Sequence, residues 1–130
     1  MIGGAVLLDA GALIDVERDP RGLTFRRCLA AFEAGARPLL PAVVFAQVWR
    51  GEARQHALSR MRRICRLLPF TDETADEVGR LLARSRTADV VDAAVIVEAV
   101  KRNAAVITSD AGDLERLSEA IGYAVRLLTV

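Results

Sequence analysis

The chain is poor in the residues that most reactive sites use. It has two cysteines, Cys28 and Cys65, and a single histidine, His56. Two cysteines with no CxxC pattern exclude a disulfide framework, and one histidine makes a Cys/His zinc site untenable. No apolar run reaches the length of a membrane span. The opening MIGGAVLLDAGALID has no basic start, and Asp9 interrupts its apolar stretch, so it does not read as a secretory leader. The expected location is therefore the cytoplasm. Aromatic residues are only 5% of the chain, and Lys101 is the only lysine.

What is present fits one domain over residues 1–130, with 52% hydrophobic and 27% charged residues. Net charge is +1, which gives no overall pull toward a polyanion. The distribution is less even. Six arginines and one acid, Glu52, fall between residues 50 and 66. They form either a solvated helical face or a phosphate-binding surface. Arginine forks match phosphate oxygens, and Arg50, Arg54, Arg62 and Arg63 are the candidates for such contact.

Short apolar runs alternate with segments of helical periodicity. Strands are expected at 5–9, 37–41, 65–70, 104–110 and 123–130. Helices are expected after Asp9, over 21–36 ending near Gly35, after Pro41 as one or two helices, over 71–86, 88–102 and 111–122. This alternation predicts a parallel sheet with helices on both faces, and sites in such sheets lie at the carboxyl ends of the strands. Val44, Phe45, Val48 and Trp49 make the helix after Pro41 unusually apolar. It is expected either to meet a second protein or to face the chain's own core.

The segment ADVVDAAVIVEAV (88–100) carries two aspartates in an apolar context. Asp89 and Asp92 are three apart, so on a helix they share a face. Asp9 and Asp110 each fall at the carboxyl end of an expected strand. Two carboxylates about 4 Å apart repel by about 4 kcal/mol at an effective dielectric near 20. A proton or a cation must relieve such repulsion, and oxygen ligands without sulfur or nitrogen favour Mg2+ or Mn2+. Each acid also has a plain structural explanation. Asp9, Asp89 and Asp110 can cap the helices that follow them, with Asp113 in the first turn of the last. Asp92 sits inside its helix and is harder to explain that way. Asp15, Asp19 and Asp76 read as ordinary solvated residues.

LLDAGALI, then DAAVIVEA, then AVITSDAGDL with its Asp110 eighteen residues after Asp92, together resemble a PIN domain. In length and motif order the chain is most similar to the VapC toxins of bacterial type II toxin–antitoxin pairs. The resemblance covers essentially the whole chain. It implies a three-layer α/β/α fold with a central parallel sheet and Mg2+- or Mn2+-dependent endoribonuclease activity. It also implies a homodimer and a VapB-type antitoxin partner. Asp9, Asp92 and Asp110 match the family's catalytic, metal-binding acids. Two positions depart from the pattern. Gly11 stands where Ser, Thr or Asn is usual, and Gln47 stands where the helix after Pro41 usually carries glutamate. An amide brings no charge to a metal, and Asp89 is the candidate to restore it. Gln47 also supports the alternative of a PIN-fold protein that binds RNA or a partner with weak or no catalysis. A phospho-acceptor receiver domain fits poorly, because Asp9 is not one of an acidic pair and Lys101 lies on a helix.

Overall fold

A computed structural model describes residues 4–130 of the chain. Five short strands form one sheet: β1 (Val6–Leu8), β2 (Leu39–Pro41), β3 (Arg66–Leu68), β4 (Ala105–Thr108) and β5 (Leu127–Thr129). All neighbours run parallel, in the order β3-β2-β1-β4-β5. Between them lie α1 (Ala10–Arg18), α2 (Leu23–Glu33), α3 (Ala42–Val48) and α4 (His56–Ile64). After β3 come α5 (Asp72–Ser85), α6 (Val90–Arg102) and α7 (Ala111–Ile121). α5, α6 and α7 pack together, as do α1, α2 and α4, while α1 and α6 both reach β1 and β4. The result is the three-layer α/β/α arrangement expected from the alternation of runs.

The order of strands decides where a site can form. From β1 the chain moves outward through β2 to β3, then crosses back to β4 on the other side of β1. The carboxyl ends of β1 and β4 therefore flank the point where the winding direction reverses, and a crevice opens there in sheets of this kind.

Local chemistry sets the helix ends. Thr71 caps α5 by accepting from the Thr74 amide at 3.1 Å. After α2 the chain turns through Gly35 at φ 84°, a left-handed conformation that favours glycine. The segment after Pro41 forms two helices, because the chain turns between Trp49 and Gln55. There the buried Gln55 side chain accepts from the Arg50 amide (2.8 Å) and donates to the Val48 carbonyl (3.0 Å) and Glu17 (3.2 Å). Val44 and Phe45 enter the chain's own core, and Trp49 stacks on Phe45 with ring centroids 5.4 Å apart. The protein's own interior thus takes Val44 and Phe45, while Val48 and Trp49 pack against it half-buried.

α6 explains the apolar run of the sequence. Residues 93–99 are all buried, which is the pattern of a helix covered on every side. Glu98 lies in that run with its carboxylate 3.8 Å from Arg102 and 4.0 Å from Lys101. β5 is shorter than the sequence suggests. Ser118 holds residues 123–125 as a turn, its hydroxyl donating to the Tyr123 carbonyl and accepting from the Val125 amide. Cys28 and Cys65 are free and buried, and burial pushes both thiols up to about 12, which removes them as nucleophiles. No described helix is long and apolar enough to cross a membrane.

Candidate functional site

Asp9 is the first residue after β1 and the N-cap of α1. Its carboxylate accepts from the Ala10 amide at 2.7 Å. The other oxygen accepts from the Thr108 hydroxyl at 2.9 Å, across the β1–β4 junction. Thr108 is fully buried, and its hydroxyl oxygen also accepts from the Asp110 amide at 3.1 Å. One side chain therefore ties the two strand ends together. The sequence holds its signal, as the threonine two residues before Asp110, but only the fold shows it gripping Asp9. Asp110 caps α7, accepting from the Gly112 amide at 3.3 Å.

The same edge receives α6. Asp89 caps it, accepting from the Asp92 amide at 2.9 Å. Asp92 stands in the first turn, half-buried. Burial pushes its carboxyl up from 3.8 to about 6, and the charges of Asp89, Asp9, Asp113 and Asp110 add to the rise. Carboxylates from three parts of the chain thus act on one group. A cavity of about 190 Å³ lies beside it, lined by Asp89, Asp92, Asp113 and Arg116 among others. Asp113 joins this group although its sequence context marks it only as a first-turn residue of α7. Arg116 is 4.0 Å from it, an exposed pair. Asp15 is not the solvated residue that the sequence suggests: its carboxylate accepts from the Thr24 hydroxyl at 2.7 Å and joins α1 to α2.

The donor set is all carboxylate oxygen, which suits a hard divalent cation. Burial, and after it the neighbouring carboxylates, disfavour ionised Asp92, and such a cation would offset both. Among the described residues, however, no three His, Cys, Asp or Glu side chains are grouped closely enough to hold a metal ion by themselves. That is compatible with Mg2+, which keeps several waters and is bound through one or two carboxylates together with substrate phosphates.

Gly11 fits between Asp9 and the turn after β4. A Cβ there would meet the Ser109 hydroxyl and lie 2.7 Å from the Ser109 amide nitrogen. A side chain at position 11 is thus excluded by Ser109, which brings its own hydroxyl to the same place. Gln47 is exposed near the end of α3.

The four candidate arginines have different surroundings. Arg50, just past α3, bends back on the end of that helix, donating to the carbonyls of Ala46, Gln47 and Trp49. Arg62 lies over the Phe45 ring at 5.3 Å. Arg54 pairs with Glu52 at 2.9 Å, and Arg63 is exposed.

Comparison with known proteins agrees with this architecture. Over 97% of its length the chain superposes on 98% of a chain from VapBC2 of Rickettsia felis bound to a promoter DNA fragment, with TM-score 0.73 and 12% identity. A DNA-bound VapBC of Salmonella typhimurium gives TM-score 0.70 at 16% identity, over 97% of this chain and 98% of that one. FitAcB of Neisseria gonorrhoeae gives 0.61 at 15% identity, over 95% and 96%. Likeness at such identities is likeness of fold. No curated protein sequence matches the chain. A family model described as PIN domain matches residues 6–120. With that match spanning most of its length, and with acids at the carboxyl ends of β1 and β4 and at the start of α6, the chain belongs to the PIN domain family.

Proposed function

We propose that the protein is a metal-dependent endoribonuclease, the toxin of a VapBC-type toxin–antitoxin pair, that hydrolyses RNA phosphodiester bonds. The observation that carries the reading is the placement of Asp9, Asp92 and Asp110 at the carboxyl ends of β1 and β4 and the start of α6, at the one edge where the sheet reverses direction. Burial first, and four further carboxylates after it, push the Asp92 carboxyl up. Acids gathered at such an edge mark a functional site more readily than a structural one.

In this reading Asp9, Asp92 and Asp110, with Asp89, hold Mg2+ or Mn2+. The bound ion supplies Lewis acidity that offsets phosphate charge and eases deprotonation of the attacking water. The chain's own part is positioning. Thr108 and the Ala10 amide fix both oxygens of Asp9. The first turns of α6 and α7 present Asp92 and Asp110 from positions set by their caps. The reading extends to a single cytoplasmic domain that forms a homodimer and is silenced by a VapB-type antitoxin. The VapBC and FitAcB relatives in fold support that partner.

The test is cleavage of total RNA with Mg2+, with Mn2+ and with EDTA, followed by mapping of the new ends. Cleavage that needs the metal and disappears in Asp92→Asn and Asp110→Asn is the expected result. The second reading, a PIN-fold protein that binds RNA or a partner without effective catalysis, is favoured by Gln47 and by the loose grouping of the acids. Metal-independent RNA binding with no cleavage under any condition would establish it instead.

A further inference from the structure

The carboxylate edge has a difficulty as a nucleic-acid site: its own charge repels the phosphates it must receive. The far end of α1 carries the opposite charge. Where α1 leads toward α2, a cavity of about 460 Å³ is lined by Arg21, Arg54, His56 and Arg60, with Glu17 as its one acid. Nine helical residues at about 1.5 Å each set this cavity roughly 13 Å along α1 from Asp9.

The lining is partly pre-organised. The Arg60 guanidinium lies 4.6 Å from the centroid of the Phe25 ring and donates to the Pro20 carbonyl at 3.3 Å. Both contacts restrain the fork, and neither neutralises it. Among the described residues Arg21 has no ion pair. Arg54 shares only the exposed Glu52. Glu17 is turned to the Gln55 amide, from which it accepts at 3.2 Å. Because Gln55 spends its side chain on Glu17, Val48 and Arg50, it gives α4 no side-chain cap. The amides of the first turn, beginning at His56, keep their donors free beside the arginines.

We propose that this cavity binds a backbone phosphate of the RNA strand and holds the strand while another part of it lies at the carboxylate edge. The proposal rests on the nuclease reading for the identity of the polyanion. Forked guanidiniums and free helix-start amides recognise phosphate oxygens and read no base. The subsite therefore contributes affinity and register without sequence preference.

His56 makes the site directly observable, because it is the only histidine in the chain and its ring resonances are unique. In EDTA, where nothing is cleaved, a short unstructured RNA should shift the His56 signals. Arg21→Glu should abolish that shift and weaken RNA binding severalfold. The slope of log K against log salt should fall by about 0.7 for each single-strand phosphate that the variant no longer neutralises. Arg60→Lys, which keeps the charge and loses the fork, should give an intermediate loss. RNA binding with no His56 shift and an unchanged slope in Arg21→Glu would overturn the proposal. So would saturation by inorganic phosphate with no competition from RNA, which would make the cavity a free-anion site. The nuclease reading fails separately. A protein that shifts His56 on RNA binding but never cleaves with Mg2+ or Mn2+ keeps the subsite and loses the activity.

Discussion

Replacing Asp92 by asparagine should make the metal-free protein more stable at neutral to alkaline pH. The folded chain holds the Asp92 proton up to about 6, against 3.8 ordinarily. Between those values the folded state binds more protons than the unfolded chain, so stability falls as pH rises through that window. Above it the ionised carboxylate opposes folding in full. The displacement caps the effect at about 3 kcal/mol, at about 1.36 kcal/mol per pH unit. Asp92 is only half-buried, and solvent screening reduces this to about 1–2 kcal/mol. Loss of a negative charge from the first turn of α6 takes back about 0.5 kcal/mol. The net gain of roughly 1 kcal/mol corresponds to a rise of about 4 °C in Tm for a domain of this size. The assay is thermal unfolding in EDTA near pH 8 and again near pH 4, where Asp92 is protonated in the folded state and about half protonated in the unfolded chain, so that most of the gain should disappear. Mg2+ or Mn2+ should then raise the Tm of wild type more than that of the variant, because only wild type gains a cation for its charge. A variant that melts lower than wild type near pH 8 in EDTA would refute the reasoning, since Asp92 would then be supporting the fold.

Three further perturbations probe the same edge. Thr108→Val leaves Asp9 and the Asp110 amide without their partner and should cost about 1–3 kcal/mol in urea unfolding, with Thr108→Ser retaining most of it. Gly11→Ala drives a Cβ against the Ser109 backbone and should cost about 1–3 kcal/mol. An unchanged unfolding midpoint would mean that the turn after β4 yields easily. Gln47→Glu should lower the Mg2+ or Mn2+ concentration needed for half-maximal cleavage if position 47 serves the metal. An unchanged metal dependence would put Gln47 outside its reach.

Every strand and helix of the structure has a counterpart in the sequence, because buried parallel strands and amphipathic helices leave different periodicities. The differences lie at the ends, where side chains compete with regular structure. α6 starts at Val90 because Asp89 takes the cap. Residues 123–125 stay out of β5 because Ser118 binds Tyr123 and Val125. Asp9, Asp92 and Asp110 are legible because acids at strand ends and inside apolar helices are costly. Thr108 is marked only as the threonine two residues before Asp110, and Ser109 and Asp113 are not legible, since their importance comes from neighbours that no local pattern carries. The same holds for the arginine cavity. Its members come from the turn after α1, from α4 and from the residues just before it, and a sequence window around 50–66 includes Arg54, His56 and Arg60 but not Arg21.

The hydrogen bond between Thr108 and Asp9 spans 99 residues of chain, and β1 finds its second neighbour only when β4 arrives. During synthesis the segment that holds β1, β2 and β3 comes first, yet of the two donors that fix Asp9 it supplies only the Ala10 amide. The acidic edge closes only after β4 has been made, since long-range pairing must wait for its later partner. A fragment released before β4 therefore lacks the assembled edge, so whatever chemistry the edge performs waits for the chain that carries both of its halves.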